Sequence, residues 1–133
     1  MLSFSELNYL AIVLATIAKF MVGGLWYSKM LFGNAWLAEV GLKEEDLGSP
    51  LNALLIAVGT CLLVVFSMAI LFQIMALDLR TTLAVTVIMA LGVTSAQMGL
   101  SFAFEDRSLK LFLIYATQCV KEFVIVALIL NLM

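Results

Sequence analysis

Four long apolar runs, separated by charged and turn-forming residues, divide the chain. A helix needs about 20 predominantly apolar residues to cross the hydrocarbon of a bilayer. Residues 7–26, 51–77, 81–104 and 109–132 meet that length. None of them can stop half-way, because backbone groups left unpaired in lipid cost several kcal/mol each. The pattern therefore predicts four transmembrane helices.

Local chemistry marks their ends. Ser49-Pro50 is a helix start, since serine caps and proline tolerates the first turn. Asp78 and Arg80 leave only a very short link between the second and third spans, which predicts antiparallel neighbours. Between the third and fourth, Glu105-Asp106-Arg107-Ser108 offers Asp106 or Ser108 as a cap. Trp26 and Tyr27 close the first span as an aromatic anchor at the interface. The first residues carry Glu6 and no Lys or Arg, and the apolar stretch after them runs past signal-peptide length without a clear cleavage site, so it is expected to be retained as a helix.

The one long connection is not uniformly polar. Phe32, Trp36 and Val40 recur every four residues, which on a helix forms one apolar stripe. Residues 28–41 are therefore expected to form a short helix in the headgroup layer, with Trp36 at the interface. The following Lys43-Glu44-Glu45-Asp46 run reads as a solvated turn.

Composition agrees with a bilayer as the solvent. The chain of 133 residues is 65% apolar and 12% charged, and its mean hydropathy is +1.17. A soluble domain is about 45–50% apolar and about 25% charged. The expected architecture is an all-α membrane protein: a single domain over residues 1–133, a four-transmembrane-helix bundle with an interfacial amphipathic helix between the first and second spans. A net charge of −2 without a basic cluster gives no reason to expect nucleic acid. With no histidine there is no usual metal ligand, and no metal or cofactor is expected. Cys61 and Cys119 sit in separate apolar runs and read as small buried residues.

Basic residues orient the bundle. Lys29, Lys43, Arg107 and Lys110 flank the first and third loops, against Arg80 on the other side. The excess places those loops in the cytoplasm and both termini outside.

Ionisable groups inside spans are expensive and are functional candidates. Lys19, Lys121 and Glu122 are such groups. At about 1.5 Å per residue, Lys19 lies about 10 Å inside the Trp26 end, and Glu122 about 16 Å inside the Leu111 end. Both ends are on the same side, so a long lysine side chain reaches the carboxylate. On the first helix Ala11, Ala15, Ala18, Lys19 and Val22 share one face, small enough for close packing. Thr82, Thr86, Ala90, Thr94, Gln97 and Ser101 make a similar face on the third helix. On the fourth, Tyr115, Gln118 and Glu122 share a stripe. Lys19, Gln97, Gln118 and Glu122 are thus expected to converge. One reading makes them packing glue. The other makes them a proton- or ion-handling site, in which Glu122 changes protonation.

Lys121 points about 100° away from Glu122 around the helix. Near mid-span it does not easily snorkel to the interface. A second subunit or a membrane partner at the fourth helix would satisfy it, so Lys121 is an expected oligomer contact.

Gly24-Leu25-Trp26-Tyr27-Ser28, followed by Leu31-Phe32-Gly33 and Trp36, spells G-L-W-Y-S-x-x-L-F-G-x-x-W. This resembles the signature of a family of small four-span membrane proteins called domain of unknown function 1761. Asn8-Tyr9-Leu10-Ala11 and Arg107-Ser108-Leu109-Lys110-Leu111-Phe112 look like that family too, so the resemblance covers nearly the whole chain. It implies a four-helix fold and a prokaryotic membrane protein, in keeping with the cytoplasmic membrane. Where the family often has proline after Trp-Tyr-Ser, Lys29 stands here. Physically the signature is an interface device: Gly23 and Gly24 permit close helix approach, Trp26, Tyr27 and Ser28 close the span, and Gly33 permits the turn toward Trp36.

No nucleophile with an adjacent base and no phosphate-cradling loop is present, so an enzyme is not expected. The first expectation is a structural or accessory partner protein. The second is a small oligomeric transporter or channel using the buried Lys/Glu cluster. No break in the spans suggests a discontinuous helix.

Overall fold

The computed structural model describes residues 2–48 and 50–133. The cap expected of Ser49 lies outside the described residues. Among these described residues five longer helices follow in order: α1 (Tyr9–Trp26), α2 (Gly33–Val40), α3 (Pro50–Met75), α4 (Leu79–Phe104) and α5 (Leu109–Leu132). All but α2 are long and apolar enough to cross a membrane. Leu55, Leu63 and Phe104 are 63%, 67% and 87% exposed, a surface suited to lipid and not to water.

Capping residues set the starts. Asn8 accepts the Ala11 amide at 3.0 Å and opens α1. Ser108 does the same for α5 with the Leu111 amide, also at 3.0 Å. Pro50 occupies the first position of α3.

Helix α5 is the centre of the bundle, packed against α1 and α4. Helix α3 packs on α1. Lipid tails are as apolar as leucine, so association rests on close packing rather than on escape from water. Ala15, Ala69 and Ala127 accordingly sit in the core beside Ile12, Val65, Met68 and Val126. At that end Ser3 and Gln73 exchange two hydrogen bonds of 2.8 and 2.9 Å, tying the N-terminal turn to α3. Toward the other end α3 leaves the bundle: residues 51–60 are exposed except for a half-buried Ala57. The separation of α3 from its neighbours there makes room for the site below.

Two sequence expectations are revised. Spans two and three do not pack closely, despite their short link. The close backbone partner of α4 is α5, and a groove of about 260 Å³ floored by Phe123 runs between α3 and α4. The third span is also not a uniform helix: Met89–Ser95 is a π segment. A π turn inserts one extra residue and rotates everything after it by about 100°. Thr82, Thr86 and Ala90 are buried as expected, but from the end of the π segment onward Ser95 and Phe102 are buried in place of Thr94 and Ser101.

Candidate functional site

Glu122 is the focus of a row of hydrogen bonds between α1 and α5. Its Oε2 accepts the Lys19 ammonium at 2.6 Å and its Oε1 the Gln118 amide at 2.7 Å. The Tyr27 hydroxyl donates in turn to Gln118 Oε1. Burial pushes the Tyr27 phenol up, reinforced by the nearby Tyr115 and Glu122, so it stays protonated and acts as the donor. The Lys19 and Glu122 side chains are 13% and 5% exposed. Both carboxylate oxygens are thus hydrogen-bonded within the protein, as a buried acidic side chain requires.

Gly23 makes this approach feasible. A Cβ there would lie 3.0 Å from Glu122 Oε1 and 3.6 Å from the Gln118 amide. The carboxylate therefore rests almost on the backbone of α1.

The chain then turns back over this end of the bundle. The Ser28 hydroxyl bonds to the Leu25 carbonyl at 2.6 Å, and the Ser28 carbonyl accepts the Leu31 and Gly33 amides at 3.1 and 2.9 Å. A Cβ on Gly33 would sit 2.4 Å from the Tyr27 carbonyl oxygen and 2.8 Å from Ser28 backbone atoms. Only a residue without Cβ fits this close approach. The turn delivers α2 across α5. Trp36 donates to the Tyr115 hydroxyl at 2.9 Å, and its ring lies edge-on to Tyr27 at 5.4 Å. Glu39 accepts the Ser108 hydroxyl at 2.5 Å.

The aromatic residues of the signature also make contacts inside the bundle. Trp26 is 6% exposed, donates to the Ile114 carbonyl at 3.0 Å and lies 4.5 Å from the Phe32 ring. Phe32 precedes α2 rather than forming a stripe with Trp36 and Val40, and Trp36 turns toward Tyr27 and Tyr115. Indole N–H groups need acceptors when buried, and α5 supplies both of them.

Lys19, Gln118 and Glu122 come together, but Gln97 does not join them. It is exposed, because the π segment turns it out of the face that the uninterrupted period assigned to it. Lys121 is exposed but not isolated: its ammonium lies 4.4 Å from the centre of the Trp26 ring, a cation–π contact within the chain. That contact gives Lys121 a partner within its own chain.

The row lines a cleft of about 550 Å³ between α1, α3 and α5, beside Trp36 of α2. The opposite wall belongs to α3, through Ala53, Leu54, Ala57, Thr60 and Cys61. Sequence reasoning missed this wall. Its signal is the small-residue spacing of Ala53, Ala57 and Cys61, masked by a run apolar on every side.

A helical bundle of membrane-crossing length, with an ion pair opening on a cleft between its helices, defines a small helical membrane-type protein. The chain belongs to the DUF1761 family, described as protein of unknown function, whose model matches residues 10–131. No curated protein and no solved structure matches it.

Proposed function

We propose that the protein binds a small amphipathic molecule within the membrane, in the cleft beside Lys19 and Glu122, as the loading step of transport. One observation carries the reading. The ion pair is not sealed between packed helices but faces a cleft of about 550 Å³, the size of a small-molecule site. Packing glue needs no such space. The reading rests on recognition and asks no residue for covalent chemistry. The bundle would sit in a prokaryotic cytoplasmic membrane, with the α1–α3 and α4–α5 connections inside and both termini outside.

The accessory reading is favoured by a different observation: Lys19, Gln118, Glu122 and Tyr27 already satisfy one another. A double replacement separates the two. Lys19→Met alone leaves a buried carboxylate uncompensated, a loss of about 3–5 kcal/mol. Lys19→Met with Glu122→Leu removes both charges, and such exchanges are often neutral or stabilising. The double variant is expected to match wild-type thermal stability in detergent. Native mass spectrometry is expected to find a one-to-one small-molecule adduct on wild type that the double variant lacks. An equally stable double variant with the same adduct, or a wild type purified bare, favours the accessory role. The ion-handling form is tested in proteoliposomes with a trapped pH dye, where it requires flux that Glu122→Gln abolishes.

A further inference from the structure

We infer that the occupant of the cleft is an uncharged, lipid-soluble amphiphile that enters sideways from the bilayer between α1 and α3. This rests on the binding reading above and names the class of ligand. The first argument is charge. The charged side chains lining the cleft are Lys19 and Glu122, and they are spent on each other at 2.6 Å. An anion would have to draw Lys19 away from Glu122, and a cation would have to draw Glu122 away from Lys19. Either leaves one buried charge without its partner, which low dielectric punishes. A neutral head with a carbonyl or hydroxyl needs no such exchange.

The second argument is hydrogen-bonding capacity. An ammonium has three donors and an amide two, so Lys19 and Gln118 each keep a donor beyond those spent on Glu122. The Thr60 hydroxyl donates to the Ile56 and Ala57 carbonyls at 2.9 and 3.0 Å, which leaves its oxygen as an acceptor. The two walls of the cleft together thus offer both signs of hydrogen bond to a neutral head, and Phe20, Leu54 and Ala57 offer it an apolar bed.

The third argument is access. Toward the bilayer the wall is open: Gly24 and Leu54 are both exposed, and a Cβ built on Gly24 meets nothing within 4 Å. Toward the loop end Trp36 stands over the cleft, held to Tyr115 at 2.9 Å, while Glu39 holds α2 to Ser108 at 2.5 Å. A solute dissolved in lipid meets a gap there, and one arriving from water meets a pinned helix.

The test uses the purified full chain in detergent with three oleoyl probes: monooleoylglycerol, oleate and oleyltrimethylammonium. Native mass spectrometry reads the affinity of each for wild type, Ala57→Phe, which fills the cleft, and Gly24→Leu, whose Cβ meets no neighbour within 4 Å and whose side chain narrows the gap. Monooleoylglycerol is expected to bind one per chain, at least ten-fold more tightly than either charged probe. Its affinity is expected to fall ten-fold or more in Ala57→Phe and to weaken in Gly24→Leu. If oleate or the ammonium binds as tightly, and in a cleft-dependent way, the occupant is charged: the inference is overturned and the binding reading stands. If no probe distinguishes wild type from either variant, the binding reading falls and the inference with it. Should Ala57→Phe not fold, Gly24→Leu, with its Cβ clear of every neighbour within 4 Å, still decides between these outcomes.

Discussion

Glycine 33 holds its place through contact rather than conformation. Its φ is not in the left-handed region, unlike that of Gly41 at +74°. What excludes a side chain is the Tyr27 carbonyl oxygen, 2.4 Å from where Cβ would be. Backbone on both sides gives the turn nowhere to move. Gly33→Ala is expected to cost about 1–3 kcal/mol through overpacking. It should also loosen α2, read as a lower thermal midpoint and as weaker near-ultraviolet dichroism from Trp36. An unchanged midpoint would show that the turn relaxes freely. Gly23 is the softer case. There the neighbour is the end of a glutamate side chain at 3.0 Å, and alanine gains about 1 kcal/mol in helix propensity. Gly23→Ala should therefore leave stability nearly unchanged while displacing Glu122 within the site.

Among the elements, α4 departs furthest from a regular period. The π segment Met89–Ser95 moves the inner face by one residue, so that Phe102 packs edge-on against Phe112 and Tyr115 at 6.1 and 5.7 Å. The ring also carries the Arg107 guanidinium at 4.3 Å. Spin labels at cysteines placed at 97 and 95 should read this register directly. The label at 97 is expected to be mobile and open to dissolved oxygen, and the label at 95 immobile and shielded. The reverse order would return α4 to an uninterrupted period and Gln97 to the polar row. Helix α2 teaches a related lesson: its single aromatic residue, Trp36, was expected at the interface, yet it donates to the Tyr115 hydroxyl on α5.

For the whole molecule the arrangement is asymmetric along the bundle axis. The end holding both termini is tightly packed around Val65 and Val126, both fully buried, whereas the opposite end is parted by α3 into a polar-floored cleft. The loop charges predict which end faces the cytoplasm. An alkaline phosphatase fused after Met133 should be active in cells, and a green fluorescent protein in the same place dark. A fluorescent, phosphatase-inactive pair would invert the bundle and put the roofed end of the cleft outside.

Span number, approximate span length and the inward faces of α1 and α5 follow from sequence alone, because a bilayer demands about 20 apolar residues and every intramembrane charge needs a partner. Depth and helical angle accordingly pair Lys19 with Glu122 from sequence alone. Tertiary structure alone decided the rest. The π segment is a local choice of backbone that no side-chain period announces, and it removed Gln97 from the site. The Trp26 contact of Lys121 depends on how α1 crosses α5. The cleft exists because α3 diverges over residues 51–60, and a helix apolar on all sides carries no pattern to say which side will be left uncovered.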